Sequence, residues 1–288
     1  MPDILYHYSS KAGLLGIINS KCLWAANILY LIDAAEFSYT LQLGADVLET
    51  KMKNTTLKDN ELKLIHKMYD VVKSRLEFGI PNTYVACFSE VDDSLSQWRA
   101  YCPKTGGFSI GFDYEYLCTL ASDQSYELKE CVYDEKPEHA WNKSIVQTIV
   151  EDIIVKHMVQ ATMWRTVEGE DLEHNIIETA HKFFYDLVSV APQIKDKSFK
   201  EEKEWRVVSP LYRLAENSVH HREGPSMIIP YREFKLVKDG QPMQIGEVVI
   251  GPTPHPTLAL GSLSTLYHSG SGVEIGNARN SIIPYRAW

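Results

Sequence analysis

Apolar positions along the chain follow helical spacing in some stretches and strand spacing in others. Residues 11–20 place Leu14, Leu15, Ile17 and Ile18 on one helical face, behind Ser10 as a suitable N-cap. Leu62, Ile65, Met68, Val72 and Leu76 form a one-sided stripe, and 36–49 reads as a helix too. Pro81 and Asn82 end that pattern. After Pro137, Ile145, Ile149 and Ile153 recur every four residues, followed by Met158 and Met163. Further helices are expected over 173–190 and around Leu258, Leu260, Leu263 and Leu266. Strand-type runs fall at 4–8, 84–88, 107–112, 128–133, 204–208, 226–229, 247–250 and 273–275. Strands cluster around two helical blocks and do not alternate with helices. That predicts an α+β fold with a mixed, mostly antiparallel sheet flanked by helices. The simplest organisation is one domain over 1–288 with a helical insertion at 135–197.

Composition narrows the function classes. A chain of 288 residues can bury a substantial core. Its net charge of −9 speaks against a protein that grips nucleic acid mainly by neutralising phosphates. No run approaches the roughly 20 apolar residues that cross a bilayer, and the N-terminus has no charged-then-apolar leader pattern. The expectation is a cytoplasmic protein without a membrane partner. Five scattered cysteines, none in a C-x-x-C pair, suit reduced thiols and not a metal site.

Candidate chemistry lies at the two ends of the chain. In Leu5-Tyr6-His7-Tyr8-Ser9 the His7 imidazole and the Ser9 hydroxyl are two residues apart, hence on one strand face, where they can bond vicinal sugar hydroxyls. The plainer account is a histidine that satisfies a backbone carbonyl. In Glu202-Lys203-Glu204-Trp205-Arg206 the alternation puts Glu202, Glu204 and Arg206 on one face and Trp205 on the other. Two carboxylates side by side repel unless Arg206 or a ligand compensates. The competing account is a charged edge strand that resists aggregation. Between these ends, Phe88-Ser89 closes a strand. Trp98 and Tyr101, three residues apart, are expected on one helical face that could stack on a planar ring. Gly106-Gly107 lacks the dinucleotide-binding spacing and reads as a turn. His255, in a proline-rich loop, has no readable role.

The ordered set His7-Tyr8-Ser9, Leu23-Trp24-Ala25, Asp33 with Glu36, Phe88-Ser89, Trp98 with Tyr101, 107–112, Glu202-x-Glu204-Trp205-Arg206 and Gly251-Pro252 resembles a bacterial family catalogued as domain of unknown function 2971. Members commonly carry Asn-Asp before the acidic residue of the third motif. Leu31-Ile32-Asp33 departs from that and leaves the roles of Asp33 and Glu36 open. More distantly, the layout is similar to the ADP-ribosyltransferase superfamily. That similarity implies an ADP-ribosyltransferase-like core and NAD as substrate. Glu204 would be the catalytic glutamate, with Glu202 facing the acceptor. His7, Tyr8, Ser9, Ser89, Trp98, Tyr101 and Arg206 would bind NAD. The acceptor (protein, nucleic acid or water) is not implied. By analogy such an enzyme would suit a toxin or an antiviral, antiphage defence effector.

Two other classes fit the same residues. One is a nucleotide- or nucleic-acid-binding sensor without catalysis, built on Trp98, Tyr101 and His7. The other is a metal-dependent nuclease using Asp33, Glu36, Glu202 and Glu204 to hold Mg2+. Convergence of His7, Tyr101 and Glu204 on one cleft is what the first reading requires.

Overall fold

The computed structural model describes residues 1–31, 34–54, 56–78, 82–102, 106–134, 143–164, 166–212, 218–224, 226–238 and 240–284, without the side chains of 34–36 and 77–78. Asp33, Pro81, Pro137 and the side chain of Glu36 therefore lie outside the described residues. The chain runs β1 (Ile4–Ser10), α1 (Lys11–Ser20), β2 (Cys22–Asn27), α2 (Ala34–Met52), α3 (Asp59–Phe78), β3 (Tyr84–Ser89) and α4 (Leu95–Tyr101). It continues through β4 (Gly107–Asp113), α5 (Tyr114–Asp123), β5 (Glu127–Glu130), β6 (Val132–Asp134), α6 (Ile145–Ala161), α7 (Gly169–Val190), β7 (Ile194–Asp196) and β8 (Glu204–Val208). The last elements are β9 (His220–Glu223), β10 (Ile228–Lys235), β11 (Met243–Ile250), α8 (Pro256–His268) and β12 (Val273–Asn280). Short 3-10 turns occupy Ile28–Tyr30, Ala191–Gln193 and Lys197–Glu202.

The fold is α+β, with a mixed, mostly antiparallel sheet flanked by helices. The main sheet runs β12-β11-β4-β1-β3-β2-β10-β9, with β8 beside β3 and β5 beyond β8. Its one parallel pair among these strands is β11–β12, joined across α8. A separate two-stranded parallel sheet joins β6 to β7. Leu14, Leu117, Leu120 and Leu263 bring α1, α5 and α8 onto one core. On a second core, α2, α3, α6 and α7 share Leu41, Ile65, Val150 and Phe183. Ile176, Ala180, Phe183 and Leu187 recur along α7 at helical spacing and are all buried, whereas in α6 the buried face is Val146, Val150 and Ile154, one residue on from the expected Ile145, Ile149 and Ile153, and Ile145 is exposed. Ser10 does cap α1, its side chain accepting from the Gly13 N–H at 3.0 Å, and Lys21 closes the helix in the left-handed region.

A fork in the sheet positions the site. Along one edge β3 pairs with β8 from Val85↔Val208 to Ser89↔Glu204. On its other edge only the ends are paired: Ser89 meets Tyr6 of β1, while Val85 and Tyr84 meet Ala26 and Asn27 of β2. Beyond Tyr6, β1 leaves β3 and follows β4, with which it pairs from Ile4 to Ser10. Middle residues of β3 therefore face a gap in place of a neighbouring strand.

Three expectations change here. Glu202 is not on the strand with Glu204: it ends the 3-10 turn, and Lys203, at φ 41°, breaks the alternation. The charged strand is also not an edge. β8 lies between β3 and β5 and is buried along its whole length. The expected strand over 128–133 is two strands, β5 and β6, in different sheets. They are divided at Cys131, whose N–H turns to the carbonyl of Glu204.

Candidate active site at the fork between strands

A small recess of about 40 Å3 opens where β1 peels away from β3. It is lined by Tyr6, His7 and Tyr8 of β1, Cys87 and Phe88 of β3, Gln97 and Tyr101 of α4, and Glu202 and Glu204. The chain ends thus meet: His7, Tyr101, Glu202 and Glu204 share one cleft.

His7 fills the gap in the ladder. Its Nδ1 lies 2.9 Å from the carbonyl of Cys87, and its ring meets Phe88 edge-on at 5.9 Å. A carbonyl only accepts, so Nδ1 carries the proton and Nε2 of the neutral ring is an acceptor. Burial holds the imidazole below its ordinary pKa, against the opposing pull of the Cys87 carbonyl, which keeps that tautomer neutral near pH 7.

Glu204 is the most constrained group. It is 5 % exposed. Arg206 Nε bonds its Oε1 at 2.7 Å, Arg206 Nη2 lies 3.4 Å from Oε2, and Lys195 Nζ bonds Oε2. The backbone is pinned as well: the Glu204 N–H donates to the Tyr133 hydroxyl at 2.7 Å, and its carbonyl accepts from Cys131 N–H at 2.9 Å. Burial pushes the carboxyl's pKa up, but Arg206 and Lys195 together bring it below the usual carboxylate value. A carboxylate offers about four acceptor sites, so Oε1 retains one beyond the Arg206 bond. Lys195 also reaches Glu202 Oε2 at 2.6 Å, so two cations and two carboxylates form one network.

Tyr101 is 44 % exposed as a residue. Its hydroxyl end nevertheless lies inside the cleft, where burial first, then Cys87 and the two glutamates, hold the phenol protonated. The ring is a wall and the hydroxyl a donor.

Other expected residues have different duties. Tyr8 donates its hydroxyl to the Val91 carbonyl at 2.7 Å and accepts the Ser94 N–H at 2.9 Å. It ties the loop before α4 to β1. Trp98 is buried, donates Nε1 to Asp93 at 2.7 Å, and packs edge-on against Tyr8 at 4.7 Å. Trp98 and Tyr101 therefore form no common stacking face: Gln97 and Tyr101, four apart, share the cleft side. Ser89 spends its hydroxyl on the Glu202 carbonyl at 2.6 Å and so fixes the turn that carries Glu202. Ser9 is not among the lining residues; its Oγ sits against Gly13, where an added Cβ would lie 2.0 Å away. Arg206 is buried and bonds Glu204 and the Pro192 carbonyl at 2.9 Å. His255 precedes α8, exposed and outside the cleft.

Lys195, Gln97, Tyr133 and Cys87 escaped the sequence reading. Lys195 lies in a three-residue strand, too short for any periodicity to mark it. Gln97 had a usable signal, its spacing of four from Tyr101. Among the described residues no three His, Cys, Asp or Glu side chains gather as a metal site needs, and the nuclease reading's Asp33 and Glu36 side chain lie outside them. No described helix is long and apolar enough to cross a membrane.

No curated protein and no solved structure matches the chain. From α4 to β8, residues 97–207 are similar to the family described as "Protein of unknown function (DUF2971)", a stretch that spans Gln97, Tyr101, Lys195, Glu202 and Glu204 of the cleft.

Proposed function

We propose that the cleft opens the N-glycosidic bond of NAD, in an ADP-ribosyltransferase-like reaction with NAD as substrate and a protein, a nucleic acid or water as acceptor. The observation that carries this reading is the meeting of His7, Tyr101 and Glu204 in one recess, from three distant parts of the chain. In this reading the recess, about 40 Å3 as it stands, widens to admit the nicotinamide-ribose end of the dinucleotide, and the remainder lies outside it.

In this reading Nε2 of His7 accepts a ribose hydroxyl, and the remaining acceptor site on Glu204 Oε1 takes its neighbour. The C1′–N bond breaks with both electrons going to nicotinamide, which leaves neutral. Charge left on the sugar is oxocarbenium-like, as in glycoside hydrolysis. The buried carboxylate of Glu204, kept ionised by Arg206 and Lys195, lies beside that charge. Preorganised electrostatic contacts of this kind are worth roughly 3–4 kcal/mol each. The acceptor's lone pair forms the new C1′ bond, and its proton passes to Glu202.

One feature favours a second reading, a nucleotide-binding sensor without turnover. Glu204 already holds two cationic partners, which offset the charge that catalysis would use. Incubation of the purified protein with adenylate-labelled NAD, with and without cell lysate, separates the two. The catalytic reading expects nicotinamide release, and Glu204→Gln lowers it by at least about a hundredfold under conditions where circular dichroism shows the variant still folded. Saturable NAD binding without release supports the sensor. Equal release by wild type and Glu204→Gln removes Glu204 from the reaction.

A further inference from the structure

Lys195 stands where the two glutamates of the cleft are joined. It is 2 % exposed, at the centre of β7, between the turn at Ala191–Gln193 and the turn that carries Glu202. Its Nζ bonds Glu202 and Glu204 and lies 4.8 Å from the centre of the Phe199 ring. The backbone does not align those carboxylates, since Lys203 takes a left-handed conformation between them. Arg206 bonds Glu204 through Nε and Nη2 and the Pro192 carbonyl through Nη1.

We propose that Lys195 is a positioning residue of the cleft: its ammonium draws the carboxyl groups of Glu202 and Glu204 together so that both face the same sugar. This role rests on reading the cleft as a site of NAD chemistry. Two carboxylates brought together without a cation repel, and one of them takes up a proton. The pair then titrates as a unit and not as two separate groups. Around it stand Arg206 on the same strand, Tyr133 from β6, Tyr101 from α4, Cys87 from β3 and Asp196 beside Lys195. Within this shell Lys195 and Arg206 are the positive groups. A buried ion network is on average no better for stability than apolar packing of similar volume, so its presence at the cleft is better accounted for by the arrangement it imposes.

The test pairs kinetics with a measurement that needs no NAD. Lys195→Met keeps the stem and removes the charge. The expected result is a kcat lowered at least about tenfold, since proton acceptance by a positioned base is worth about 10^2–10^4-fold. KM should change little, and the acidic limb of the pH profile should move up by about one unit. Lys195→Arg should recover part of kcat and return the limb toward wild type. A rise in KM at unchanged kcat, or an unmoved limb, overturns the positioning role. If Lys195→Met does not fold, the wild type decides by nuclear magnetic resonance: the Lys195 Nζ shift should step at the same pH as the glutamate carboxyl carbons. Independent titration overturns the proposal. A wild type that releases no nicotinamide sinks the NAD reading alone, and the resonance measurement still judges the pairing.

Discussion

His7 owes its character to a single acceptor. Because the Cys87 carbonyl takes the Nδ1 proton, the neutral ring presents Nε2 as an acceptor, and burial keeps it neutral. Tyr8, its neighbour, works structurally: its hydroxyl bridges the Val91 carbonyl and the Ser94 N–H. Tyr8→Phe strands both partners, at a cost of about 1–3 kcal/mol. Urea denaturation should read that loss, and a change under about 0.5 kcal/mol would mean that the loop before α4 does not depend on the hydroxyl. At this scale the sequence was partly legible. Glu204 and Arg206 were visible because charges at alternate strand positions stand out. Ser89 and Trp98 were seen as residues but misread in duty, since nothing local tells that the hydroxyl of Ser89 is spent on Glu202 and the indole of Trp98 on Asp93. Lys195 could not be found, because its three-residue strand gives no periodicity and its bonds to Glu202 and Glu204 depend on the turn between them.

Among elements, the approach of β4 to β1 and α4 is the tightest constraint near the cleft. An added Cβ at Gly107 would lie 2.3 Å from Cys102 Sγ and 2.7 Å from the Ser9 carbonyl. Gly107→Ala should therefore cost about 1–3 kcal/mol through overpacking and shift α4, carrying Tyr101 out of register. Chemical denaturation with Tyr101 solvent quenching checks both effects, and a variant as stable as wild type contradicts the close fit. Gly106, at φ 104°, fits the turn expected there. Long apolar stripes such as those of α3 and α7 were readable because their period persists over many turns. The helix α5, with Leu117, Leu120 and Ala121 buried, went unread. β10 also runs through Pro230, where the sequence argues for a stop. That proline lies one residue beyond the last pairing with β2, at Tyr231↔Ala26, so its missing N–H forfeits no bond to that strand.

For the molecule as a whole, the fork matters more than any single motif. An uninterrupted sheet would close β1 against β3 and leave no recess. The divergence of β1 toward β4 and of β2 toward β10 creates one, and β8 and α4 supply its walls. Mixed sheet and flanking helices were legible from the clustering of strand runs. The fork was not, because it depends on which partner each half of an edge chooses, and hydrophobic alternation is identical for either choice. The most direct measurement is a crystal structure of the protein with a non-hydrolysable NAD analogue at saturating concentration. The account predicts the nicotinamide ribose in the fork, its hydroxyls within hydrogen-bond distance of His7 Nε2 and Glu204 Oε1, and Tyr101 beside the ring. An analogue bound elsewhere, or a recess unchanged at saturation, would contradict it.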